Sequence, residues 1–201
     1  MMAEQVFRQR VPGEKIWWWP NVLTYGRIAA VPVLAALLLY GGNGARWIAV
    51  AIYIVAAITD FLDGYLARLW KQQSALGRML DPIADKVLVS VVLLALAADG
   101  ILSGGHLWAA FIIIAREVLV SGLREFLMEL RVSVPVTQIA KWKTTAQLIA
   151  IGFLIAGPAG DALVPDVTYA GIILLWVAAA LTLYTGYDYF RAGLRHVVNE
   201  E

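Results

Sequence analysis

Six apolar runs, at residues 20–40, 47–67, 82–98, 107–127, 142–156 and 169–190, take up most of this sequence. A helix of about 20 residues crosses the hydrocarbon core of a bilayer, and shorter runs can cross when flanking residues snorkel. Inside lipid no water is available to the main chain, so each run must satisfy its own amides, which a helix does. Composition agrees: 61% of residues are hydrophobic and 15% are charged, where soluble domains average about 45–50% and about 25%. The expected fold is an all-α integral membrane protein of six transmembrane helices.

Residues 1–20 differ from the rest. Arg8, Arg10 and Lys15 precede the cluster Trp17, Trp18 and Trp19. Indoles favour the headgroup layer and basic groups favour anionic lipid, so this stretch reads as a juxtamembrane segment lying on the membrane surface. It has no apolar region followed by a small-residue cleavage site, so it is not expected to be a cleaved signal peptide. Residues 21–201 are then one six-helix domain. By alternate loops, Arg8, Arg10, Lys15, Arg68, Lys71, Arg78, Arg131, Lys141, Lys143, Arg191 and Arg195 share one side, and the opposite loops hold Arg46 alone. The positive side is cytoplasmic, which places both termini there. The absence of cysteine excludes disulfides and a thiolate nucleophile. Basic residues hug the membrane side and form no exposed stripe, so nucleic-acid binding has no support.

The acids are concentrated in one place. Residues 60–85 read DFLDGYLARLWKQQSALGRMLDPIAD. Asp60, Asp63, Gly64 and Ala67 fall at helical i, i+3, i+4 and i+7, so two carboxylates and two small residues share a face. Asp81 and Asp85 lie four apart, again on one face, and Pro82 after Asp81 suggests an N-cap with proline at the first helical position. Two helices meeting here would gather four carboxylates at the edge of an apolar layer. Burial would force protons onto some of them unless divalent cations offset the repulsion, so the cluster reads as a metal site for oxygen-loving ions. It lies on the cytoplasmic side.

Other charges lie within apolar runs, where they are costly and point to function. These are Arg27 in the first run and Arg116, Glu117, Arg124 and Glu125 in the fourth. Adjacent helix positions do not face each other, so Arg116 and Glu117 are expected to have separate partners. Lys141 and Lys143 flank the start of the fifth run, where anchoring at the interface is an equally good explanation. Arginine and lysine projecting from neighbouring helices toward the acids would form a pocket for an anionic substrate.

The residues Asp60, Asp63, Gly64, Ala67, Arg68, Gly77, Asp81 and Asp85 fill every fixed position of the pattern D-x2-D-G-x2-A-R-x8-G-x3-D-x3-D. On this signature the chain resembles the CDP-alcohol phosphatidyltransferase family, whose enzymes join a CDP-linked lipid to an alcohol and release CMP using divalent metal ions. PNVLTYGR (20–27), IAREVLVSGLREFL (114–127) and KWKTTAQ (141–147) further resemble the bacterial phosphatidylglycerophosphate synthases within it. The resemblance implies CDP-diacylglycerol as donor, glycerol 3-phosphate as acceptor, a homodimer and the bacterial inner membrane. Two divalent metal ions, Mg or Mn, would be held by Asp60, Asp63, Asp81 and Asp85, with Asp85 also the general base. Asn21, Thr24, Gly64, Ala67, Arg68, Ser74 and Gly77 would serve the CDP-lipid. Arg27, Arg116, Arg124, Lys141 and Lys143 would hold the acceptor's phosphate. Transfer to serine, inositol phosphate or phosphatidylglycerol stays open within the family. Outside it, a metal-dependent membrane phosphohydrolase and a divalent-cation transporter stay open. Arg116 and Arg124 speak against the first, and the clustering of acids at one membrane face speaks against the second.

Overall fold

A computed structural model describes residues 19–69, 75–129 and 138–198, and over them the protein is all-helical. Six α-helices follow in order: α1 (Trp19–Tyr40), α2 (Asn43–Leu69), α3 (Ala75–Ala98), α4 (Leu107–Glu129), α5 (Gln138–Asp161) and α6 (Val167–Val198), with a 3-10 turn at Gly104–His106 before α4. Each expected apolar run lies inside one of them. Three carry stretches long and apolar enough to cross a membrane: Val22–Tyr40, Gly104–Met128 and Val167–Arg191. The segment expected on the membrane surface lies outside the described residues except for Trp19 and Pro20, which open α1.

Each helix turns a narrow stripe inward. Val31, Leu34 and Leu38 on α1, Ala49, Tyr53 and Ala56 on α2, and Leu88, Val92 and Leu96 on α3 recur at helical spacing and are buried. They meet Ala109 and Ile113 of α4, Ile151, Leu154 and Ile155 of α5, and Leu175, Ala178 and Ala179 of α6 in one core. α5 and α6 form the most extensive pair, while α1 packs on α2 and α3, and α4 on α6. Small residues bring these backbones close: a Cβ on Gly171 of α6 would sit 3.0 Å from Leu154 Cγ. The outer faces remain apolar, with Trp108, Val118 and Leu119 at 65%, 64% and 72% exposure. A surface so apolar is matched by lipid and not by water; the protein is a multi-pass membrane protein.

Two expectations about helix ends are corrected. Asp81 is not an N-cap and Pro82 does not open the third helix, because α3 starts at Ala75 and runs through both. Proline costs a hydrogen bond inside a helix, but neighbouring helices in a membrane make this tolerable. Asp81 is drawn to α1 and not to the amides of its own helix. The fifth helix also does not stop at residue 156. It breaks at Gly157 (φ 46°, ψ −131°) and resumes from Pro158, a residue suited to the first turn of a helix. Arg46 secures this break by pairing with Asp99 and donating from Nη1 to the Ile155 carbonyl at 3.1 Å.

Candidate active site

Three acids of the signature, Asp60 of one helix and Asp81 and Asp85 of the next, are each bound by the first helix. Thr24 and Arg27 lie three apart on α1, on the face that packs against α2 and α3, and both are almost fully buried. Arg27 Nη1 lies 2.6 Å from Asp60 Oδ1 on α2 and 3.2 Å from Asp85 Oδ1 on α3. Thr24 Oγ1 donates to Asp81 Oδ1 at 2.5 Å. A buried guanidinium thus stands where two carboxylates from different helices converge, offsetting the repulsion that would otherwise part them. Both carboxylates stay accessible, with side chains 41% and 53% exposed.

The remaining signature positions are placed by backbone only. Asp63, Gly64, Ala67 and Arg68 lie on the last turns of α2, Asn21 lies in the first turn of α1, and nothing is described of their side chains. Ser74 lies outside the described residues, and Gly77 is buried in the first turn of α3. Among the described residues no group of three or more acidic or histidine side chains is assembled for a metal ion. The donor set nevertheless suits one. Asp60 and Asp85 present hard, solvent-accessible carboxylate oxygens on either side of Arg27, and magnesium binds through one or two carboxylates plus substrate phosphates.

Asp60 and Asp85 open into a cavity of about 170 Å³ whose far wall is built by α4 and α5, with Glu117, Lys143, Thr144 and Gln147. A second cleft, of about 410 Å³, is lined by Arg116, Arg124, Lys141, Lys143 and Thr144 together with Tyr189 of α6. Lys143 and Thr144 belong to both. One hollow is therefore acidic and the other basic, and a single turn of α5 separates them.

The basic wall is held by its own contacts. Glu117 accepts from Lys143 Nζ, while Arg116 Nη2 donates to Thr185 Oγ1 of α6 at 3.1 Å. Arg116 and Glu117 thus have separate principal partners, although Arg116 Nη1 also reaches Glu117 Oε1 at 3.4 Å. Gly186 makes room for this: a Cβ there would meet Arg116 Cγ at 3.1 Å. Arg27 stands with the acids and not on the wall of the basic cleft, because α1 packs against α2 and α3. A third hollow, largely apolar, opens between α1 and α2 beside Arg27 and Thr59.

Two residues of the acid cavity, Lys86 and Gln147, are absent from the candidates read from sequence. Lys86 donates to Ser121 Oγ and so ties α3 to α4. The available signal was that both are polar residues inside apolar runs, Lys86 in the third and Gln147 in the fifth.

Comparison with known proteins bears on what such paired hollows do. A family model described as CDP-alcohol phosphatidyltransferase matches residues 17–184. A protein of Cereibacter sphaeroides named CDP-diacylglycerol–glycerol-3-phosphate 3-phosphatidyltransferase is 40% identical over 92% of this chain and 99% of its own length. Proteins of the same name from Rickettsia bellii and Escherichia coli K12 are 44% and 37% identical, over 86% and 90% of this chain and 93% and 97% of their own lengths.

Proposed function

The chain belongs to the CDP-alcohol phosphatidyltransferase family, and we propose that it transfers the phosphatidyl group of CDP-diacylglycerol to glycerol 3-phosphate, giving phosphatidylglycerophosphate and CMP. The observation that carries this reading is the wall shared by the acid cavity and the basic cleft at Lys143 and Thr144. A transferase needs its donor diphosphate and its anionic acceptor side by side, and this pairing supplies a seat for each. The names of the relatives from Cereibacter sphaeroides, Rickettsia bellii and Escherichia coli K12 agree with the donor and acceptor.

In this reading Asp60, Asp63, Asp81 and Asp85 hold two divalent ions, Mg or Mn. When bound, such ions neutralise the diphosphate and stabilise the departing CMP. Arg27 keeps Asp60 and Asp85 together, and Thr24 orients Asp81. Asn21, Gly64, Ala67, Arg68, Ser74 and Gly77 serve the CDP moiety, the small residues by letting it approach the helices. The acyl chains stay in lipid, with the apolar hollow between α1 and α2 as their entry. Arg116, Arg124, Lys141 and Lys143 receive the phosphate of the acceptor, an anion that guanidinium and ammonium groups bind well. Asp85 takes the proton of the acceptor's primary hydroxyl as its oxygen bonds to the lipid-bearing phosphorus and the bond from that phosphorus to the CMP oxygen breaks. No serine, cysteine or histidine nucleophile with a partner base is needed.

The same proposal covers the setting: six spans formed by α1 to α6, with residues 1–20 on the membrane surface and residues 21–201 as the catalytic domain. It places the active site and both termini at the cytoplasmic face of a bacterial inner membrane, and two copies in a homodimer. The test is a panel of radiolabelled acceptors with CDP-diacylglycerol and purified protein. Label should enter lipid from glycerol 3-phosphate and not from serine or inositol phosphate, and labelled phosphatidylglycerol should not be converted to a diphosphatidyl lipid. Phosphatidic acid and CMP formed at the same rate without any acceptor would mean a phosphohydrolase instead.

A further inference from the structure

Gln147 lines the acid cavity and is only 6% exposed, yet its side-chain Oε1 accepts no hydrogen bond among the described residues. Buried polar atoms are rarely left so, because an unpaired acceptor loses its water and gains nothing in return. The terminal amide torsion of glutamine is broad, so a small rotation turns that oxygen toward whatever fills the cavity.

Its position says what that is. Along α5, Lys143 marks the boundary with the basic cleft, and Gln147 follows about 6 Å further along the axis on the same face. Asp60 and Asp85 stand on the other side of the hollow. Lys143, Gln147 and Asp85 line the same hollow, so an acceptor with its phosphate at Arg116 and Lys143 and its terminal hydroxyl at Asp85 carries its middle carbon through the space that Gln147 borders.

We infer that Gln147 determines acceptor specificity by accepting a hydrogen bond from the middle hydroxyl of a three-carbon polyol phosphate. The inference rests on the proposed seating of the acceptor's phosphate in the basic cleft. Polar groups that a ligand must satisfy discriminate strongly against analogues that cannot do so.

The experiment compares two acceptors in the full-length protein with CDP-diacylglycerol: glycerol 3-phosphate, and 3-hydroxypropyl phosphate, which keeps the phosphate and the reacting hydroxyl but lacks the middle one. The natural protein should favour glycerol 3-phosphate in kcat/KM by roughly tenfold to a hundredfold. In Gln147→Met, close in volume but without the oxygen, that ratio should fall to about threefold or less, through loss on glycerol 3-phosphate. Gln147→Leu should do the same, and because a ratio is independent of the active fraction, partial misfolding does not disturb it. Equal loss on both acceptors, or an unchanged ratio, overturns the inference. Arg116→Ala separates its failure from that of the underlying reading: KM should rise for both acceptors alike. If neither KM rose, the phosphate would be misplaced whatever Gln147 does.

Discussion

Replacing Arg27 by methionine removes the cation that joins Asp60 to Asp85. The side chain of Arg27 is fully buried, while those of its partners are 41% and 53% exposed. Breaking a wholly buried pair costs about 3–5 kcal/mol, and a fully exposed one is worth about 0–1 kcal/mol. Water can take over part of the solvation of each carboxylate, so a loss of about 2 kcal/mol is expected between these limits. For a chain of this length each kcal/mol moves the melting temperature by about 2–4 °C, giving a fall of about 4–8 °C. Thermal unfolding of the purified protein in detergent measures it. A second reading uses millimolar Mg or Mn against a chelator. With Arg27 gone, a divalent ion is the remaining way to offset the two carboxylates, so it should raise the melting temperature of the variant more than that of the natural protein. A fall under about 1 °C would refute the role given to Arg27, and a variant indifferent to divalent ions would count against the metal site.

Asp85→Asn should lower CMP release by at least about a hundredfold, the usual range for losing a general base; a radiochemical assay retaining a tenth of the activity would remove Asp85 from that role. Gly157→Ala forces an L side chain into a positive φ, with a Cβ 2.7 Å from Ile101 Cδ1 and 2.9 Å from Arg46 Nη1. It should cost about 1–3 kcal/mol of stability, read by thermal unfolding. The KM of both substrates should not change, since the break lies about 20 Å along α5 from Lys143. Asp161 accepts from the hydroxyl and then the amide of Thr168, which holds its carboxyl below the usual carboxylate range. Because the folded value is the lower one, this contribution is present above the ordinary carboxylate pKa and lost as pH falls through and below it. Asp161→Asn should therefore flatten the acid limb of a melting-temperature profile, and an unchanged limb would show that Asp161 does not contribute there.

The helices were legible because lipid allows the main chain few alternatives: each apolar run is a helix, and its inward stripe recurs at helical spacing. The acids were legible in kind and spacing, and Asp60, Asp81 and Asp85 are indeed gathered by α1. What holds them was not legible, since nothing in the spacing of residues 20–27 says that Thr24 and Arg27 turn toward α2 and α3. Pro82 misled because local preference places proline at a helix start, and packing between neighbouring helices overrides that preference. The basic residues at 116, 124, 141 and 143 were legible as charges out of place in apolar surroundings. Their shared boundary with the acid cavity is a tertiary fact, set by how α5 lies between α2 and α6. Gln147 shows the limit most plainly. Its significance is a hydrogen bond not made, and sequence records only the groups that could make one.

The most direct measurement is a structure of Asp85→Asn with CDP-diacylglycerol and glycerol 3-phosphate both bound. The diphosphate should lie beside Asp60 and the acceptor's phosphate among Arg116, Arg124, Lys141 and Lys143, with the hydroxyl oxygen about 3–3.5 Å from the lipid-bearing phosphorus. Both anions on the same side of Lys143, or an acceptor bound away from α4 and α5, would contradict it.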